Sequence, residues 1–172
     1  MTNDGTTLRA QATEQSARLI DHLKEVEGAL RDLQREVAGL PFFVRGFISS
    51  EVSRGTGQDL AAWGETITAL QRETGETHEA LGRAGTAGSV LDADRAMLAR
   101  TSERLENERP RLEKLLGFME KAPSRINTVP AGVLPAERRN EVVQAIDHQT
   151  RAVRNVLAEM TGLAQSLKAL SG

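Results

Sequence analysis

The sequence predicts an all-α fold: an antiparallel four-helix bundle of long, coiled-coil-like helices in a single domain. Three observations carry that reading. Apolar residues recur in alternating steps of four and three through Leu19, Leu23, Val26, Leu30, Leu33, Val37 and Leu40, a spacing that keeps one narrow stripe turned toward a partner helix over many turns. Aromatic residues make up only 3% of the chain, with no Tyr, while Ala, Leu, Glu and Arg abound; that composition favours long helices over strands, which draw on aromatic and β-branched side chains. Glycine- and proline-rich stretches divide the chain into four long segments, and neighbouring helices joined by short connections pack antiparallel. At 172 residues the chain supplies one core, and two independent cores would strain it.

Residues 1–6 read as a disordered tail. The first helix, about 7–40, carries the seam and is stopped by Gly39 and Pro41. Extending the seam backwards places Ala12 and Ser16 on it, so this end packs more closely or more weakly than the rest. Phe42-Phe43-Val44-Arg45-Gly46-Phe47-Ile48 follows, with three of the four Phe residues and no clean amphipathic period. The spacing leaves open whether residues 41–57 continue into the second helix. Small residues at 49, 53 and 57 would let a helix backbone approach a neighbour, whereas Gly55 and Gly57 each weaken a helix by about 1 kcal/mol.

The second helix therefore starts at 42 or 57 and ends near 82, with its period resuming at Leu60, Trp63, Ile67, Leu70, Thr74, Thr77 and Leu81. Gly82–Gly88 reads as a tight turn. Ser89 is suited to cap a third helix of about 89–122, with Asp92 as the acidic member of a near capping box. Pro110 removes a backbone hydrogen bond inside that helix, which predicts a kink there. Residues 122–135, with Pro123, Pro130 and Pro135, read as a loop that is ordered only if Ile126, Val129, Val133 and Leu134 pack. The last helix, about 136–170, bears one stripe through Val143, Ile146, Val153, Met160 and Leu167 and a second through Val142, Val156, Leu163 and Leu170, so it is expected to face more than one neighbour.

The 22 basic and 24 acidic residues give a formal charge of −2, and arginines alternate with acids at helical spacing, as in Glu14/Arg18 and Glu27/Arg31, the pattern of solvated faces. A concentrated basic face with stacking aromatics is missing, so no nucleic-acid partner is expected. The chain has no Cys, which removes disulfides, zinc-thiolate sites, iron–sulfur clusters and thiol nucleophiles together. No run approaches the ~20 apolar residues of a membrane span, and the first residues lack the basic and apolar regions of a signal peptide. A cytoplasmic location is expected.

Chemistry-bearing residues are sparse. His22, His78 and His148 fall on three different helices, but the Glu-x-x-His pairs of carboxylate-bridged metal bundles are absent, so no metal is expected. A histidine phosphotransfer protein would also be a helical bundle, yet His22-Leu23-Lys24 and His78-Glu79-Ala80-Leu81-Gly82 lack the His-x-Leu-Lys-Gly order of such sites. Gly82, Gly85 and Gly88 precede a helix without a strand before them or a Lys-Ser/Thr after them, which argues against a phosphate loop. Trp63-Gly64 sits at a seam position and reads as core. Glu108 falls on the seam near Pro110, to be paired with Arg104, Arg111 or an arginine of a facing helix, or else left wet where the bundle splays.

Phe42, Phe43, Phe47 and Ile48 carry the sharpest expectation. They form either an exposed patch that contacts a partner or a plug that closes one end of the bundle. The leading expectation is a non-enzymatic assembly or adaptor protein, without cofactor, catalytic residue or small-molecule substrate. It self-associates or binds another protein through these four residues, with Leu30, Leu33 and Val37 as a seam shared between subunits. The alternative is a helical protein of the membrane or lipid surface, a pore-former or granule coat, using the same aromatic segment. Histidine phosphotransfer stands third.

Overall fold

The computed structural model describes residues 2–87, 90 and 92–172, and among them there are helices and no strand. Five helices pack together: α1 (Thr2–Ala38), α2 (Phe42–Thr56), α3 (Leu60–Ala87), α4 (Asp92–Asn127) and α5 (Ala136–Ser171). α5 lies against both α1 and α4, α1 also packs on α3, and α2 rests mainly on α4. The paired residues run in opposite directions. Gln15 meets Ser166, and Glu36 meets Arg138, between α1 and α5. Ser102 meets Ala164, and Glu120 meets Arg154, between α4 and α5.

Five helices appear where four were expected because the chain turns a corner after Thr56. Gly57 adopts φ +86, a left-handed conformation open to glycine, and its N–H closes α2 on the Ser53 carbonyl at 2.9 Å. Asp59 then starts α3 by accepting the Ala62 N–H at 2.8 Å, the geometry of an N-cap. The Trp63 indole N–H donates to the Thr56 hydroxyl at 2.9 Å and ties the two helices together. Replacing Gly57 with alanine is expected to lower stability by about 1–2 kcal/mol, the penalty of a left-handed residue with a Cβ, read from urea denaturation.

Other boundaries also move. Residues 2–6, expected as a tail, form the first turns of α1. Gly82 and Gly85, expected in a turn, lie inside α3; the Arg9 guanidinium donates to the Ala84 carbonyl, and Leu81 and Ala84 are buried, so packing against α1 outweighs the weak helix preference of glycine. The cap expected of Ser89 lies outside the described residues. α4 continues through Pro110 and Pro123 to Asn127, and the expected 122–135 loop shrinks to residues 128–135. That loop is held by the Val133 and Leu134 N–H groups on the Pro130 carbonyl and by the Arg139 guanidinium on the Val129 and Leu134 carbonyls. Leu134 is buried, with Ile126, Val129 and Val133 packed against the core.

The α1 seam is consumed inside the chain. Leu19, Leu23 and Val26 are fully buried, Leu30, Leu33 and Leu40 nearly so, and Val37 packs against the same cluster. Burial of a Val or Leu side chain stabilises by about 1.5–3 kcal/mol, so these side chains are committed to the fold. Leu30 and Leu33 are buried, and Val37 partly buried, against their own chain. The early part of the seam packs closely: Ala12 and Ser16 are fully buried, and at Gly162 of α5 an added Cβ would come within 2.8 Å of Gln15 Nε2.

Polar seam positions find partners. The Thr77 and Thr101 hydroxyls meet at 2.9 Å between α3 and α4. Glu108 is buried rather than wet; both its oxygens accept from Arg111 Nη1 at 2.8 Å, and Arg104 Nε lies 3.4 Å away. Both arginines are only about half buried, so the pair is partly screened. Glu108→Gln is expected to cost about 1–2 kcal/mol, between the values typical of exposed and buried pairs, measured by denaturation at neutral pH.

Candidate functional site

The α2 helix has one inward stripe and an unusual outer surface. Val44, Ile48, Val52 and Thr56 follow one another at four-residue steps, which places them on one face; Val44, Val52 and Thr56 are buried, and Ile48 packs against the core. The remaining apolar residues face out. Phe42 is 82% exposed, Phe43 63% and Phe47 61%, and they are the exposed large hydrophobic residues of the described chain. Taking about 200 Å² for a whole aromatic side chain, they present on the order of 400 Å² of aromatic surface, the size at which a patch on a soluble protein often has a use.

Phe42, Phe43 and Phe47 are therefore exposed and do not plug the bundle, whereas Ile48 packs against the core. Phe43 and Phe47 lie one turn apart on the same stripe, which continues seven residues on to Arg54. Phe42 lies on another side of α2, with the Arg45 guanidinium 6.0 Å from its ring centroid, a cation–π approach.

Beside the Phe43–Phe47 stripe, α2 and α4 come close at Gly55. The Phe118 ring of α4 packs directly on Gly55, leaving no space for a Cβ there. Gly117 has nothing within 4 Å of where its Cβ would be and forms part of a cleft of about 500 Å³ between the helices. Glu51 bridges the cleft by pairing with Arg54 on its own helix and with Arg125 of α4 at 2.9 Å. Lys114 and Lys121 complete its walls. Four cations face one carboxylate, a local excess of three positive charges in a chain of net charge −2.

Lys114 and Lys121 escaped the sequence reading. Their signal was present: neither has an acidic residue three or four positions away in sequence, so neither can form the helical ion pairs that neutralise many basic residues here. Arg125 carries the same signal, with no acid three or four positions away, but its pairing with Glu51 of another helix could not be read from the sequence.

Two of the three histidines flank one carboxylate, and the third lies apart. His22 Nδ1 and His148 Nε2 each lie near Glu25, at 3.9 and 3.8 Å. His78 is engaged elsewhere, with Nδ1 2.9 Å from the Ser16 hydroxyl between α3 and α1. Among the described residues no three His, Asp or Glu side chains gather as a group able to hold a metal ion. Trp63 is fully buried core. No helix is long and apolar enough to cross a membrane among the described residues. The sequence matches no protein-family model, and no curated protein or solved structure is significantly similar to it.

Proposed function

We propose that this is a non-enzymatic assembly or adaptor protein of the cytoplasm that docks through the aromatic surface of α2. The observation that supports the reading is the contrast between the largely buried α1 seam and the outward-facing Phe42, Phe43 and Phe47. Aromatic side chains exposed to water offer large apolar area at small conformational cost, and such residues anchor protein contacts. In this reading the framework is an antiparallel four-arm bundle whose second arm is broken into α2 and α3. The third arm bends at Pro110, and an experimental structure with an α4 bend above about 20° there would support that detail. Self-association, first attached to Leu30, Leu33 and Val37, moves to α2.

Sedimentation velocity tests it. The wild type is expected to associate with rising concentration, alone or with an added partner, while Phe43→Asp combined with Phe47→Asp sediments as a monomer with unchanged helical content. A wild type that stays monomeric at millimolar concentration removes self-association from the proposal. Retention of a partner by the double variant removes the aromatic surface.

A second reading, docking on an anionic membrane surface, is favoured by the cations of the α2–α4 cleft alongside the Phe43–Phe47 stripe. Aromatic insertion combined with basic residues is the chemistry of interfacial binding. Flotation with phosphatidylglycerol vesicles, abolished by the same double variant, is its expected result; no flotation of the wild type ends it.

A further inference from the structure

The interior of the bundle is not filled where α2 crosses it. An apolar cavity of about 80 Å³ lies between Leu33 and Val37 of α1, Trp63 of α3, Met119 of α4 and Ile146 of α5, with Phe47 at its edge. One water needs roughly 10–15 Å³ of such space and two or more polar partners. This space is several times larger, and its accessible wall is apolar, so it suits a hydrocarbon guest better than solvent.

The cavity does not stand alone. Glu51, Phe118 and Arg125 belong both to its wall and to that of the basic cleft between α2 and α4. In that cleft Lys114 and Lys121 point from one face of α4, seven residues apart. They have neither a hydrogen bond nor a carboxylate partner among the described residues, whereas the other two lysines, Lys24 and Lys168, lie 3.9 Å from Asp21 and Glu106. An apolar chamber thus adjoins a mouth with three excess positive charges.

We infer that the cavity and the cleft form one binding site for a single-chain anionic amphiphile, an alkyl or acyl chain ending in a phosphate or carboxylate. The chain lies between Leu33, Val37, Trp63 and Ile146. The head group meets Lys114 and Lys121, and Arg125 reaches it by leaving Glu51. Phe118, whose ring forms part of both walls, is the side chain that must swing for entry. The inference is independent of the docking reading, because it places no weight on Phe42 or Phe43.

Trp63 is the only tryptophan and lines the cavity, so its fluorescence reports occupancy directly. Octyl phosphate, octanoate, octanol and inorganic phosphate are titrated below micellar concentration. Octyl phosphate or octanoate is expected to change Trp63 emission saturably, and 8-bromooctanoate to quench it. Octanol should bind about tenfold more weakly, and inorganic phosphate should leave the emission unchanged. Affinity should rise about fourfold per added methylene until the chamber is full. Lys114→Ala with Lys121→Ala, two exposed changes that leave the fold intact, should bring octyl phosphate down to the level of octanol. Ala122→Leu, which fills the chamber wall, should weaken every chain-bearing ligand at unchanged helical content.

No saturable response to any amphiphile overturns the inference, as does a response to inorganic phosphate alone or an affinity indifferent to the two lysines. A response to phosphatidylglycerol vesicles without one to the monomeric amphiphiles also overturns it, by assigning the surface to a bilayer. Survival of Trp63 quenching in a Phe42→Asp, Phe43→Asp variant, whose two positions line neither the cavity nor the cleft, would leave this site standing even where docking fails.

Discussion

Trp63→Ala is expected to destabilise the protein by about 3–5 kcal/mol, the range for removing a large buried aromatic side chain. Trp63 is fully buried. Its N–H is the donor that holds Thr56 at the α2–α3 corner, at 2.9 Å, and the Arg111 guanidinium sits 5.9 Å from its ring centroid. The substitution would also enlarge a cavity that already borders the ring, so the surroundings have little prospect of collapsing onto the void. For a domain of this size each kcal/mol lowers Tm by about 2–4 °C, which makes a fall of roughly 10 °C the expected result in a far-UV circular dichroism melt. Trp63→Phe, which keeps most of the ring and loses only the donor, should fall by less than half as much.

Ser16→Leu is the second large effect, and here the two levels of reading disagree in sign. From the heptad pattern alone, Ser16 is a gap in the seam that a leucine would complete, and the change should stabilise. In the folded chain Ser16 is fully buried, with its hydroxyl 2.8 Å from the Thr13 carbonyl and 2.9 Å from His78 Nδ1. Its neighbour Gln15 stands against Gly162, where not even a Cβ fits without displacing the amide. A leucine would have to push α1 away from its neighbours, and overpacking of that kind costs about 1–3 kcal/mol. The two lost hydrogen bonds add to it. A drop in the urea midpoint is therefore expected.

The helices were legible because the periodicities are strong. Most of the α1 seam and of both α5 stripes is buried as the spacing required, with Val37, Val143 and Leu170 only partly covered. What the sequence concealed follows from competition between local preference and packing. Gly82 and Gly85 read as a turn because glycine is a poor helix former, yet the α3 backbone there is held by Arg9 from 75 positions away in sequence. Pro123 read as a stop, but α4 runs past it to present Ile126 to the core.

The break at Gly57 was visible only as an alternative. A glycine inside a run of small residues serves equally well as a close-packing site or as a left-handed cap, and it is Asp59 and Trp63 on its far side that select the cap. At the candidate site the aromatic residues announced themselves by composition, and the structure adds their direction. Their neighbours on α4 could not be assigned, because α2 and α4 meet through contacts more than fifty residues apart, as between Glu51 and Arg125.

The absence of cysteine permits a direct test of the central contrast, a seam turned inward and an aromatic face turned outward. Single variants Phe43→Cys, Phe47→Cys, Leu30→Cys and Leu33→Cys are reacted with a maleimide under native conditions at protein concentrations low enough to keep the chain monomeric. The thiols at 43 and 47 are expected to react within a few-fold of their rates in denaturant. Those at 30 and 33 should react more slowly by at least a hundredfold, in line with the ~3 kcal/mol or more needed to open a packed core. Equal reactivity at all four positions, or protection at 43 and 47 with rapid reaction at 30 and 33, would contradict the account.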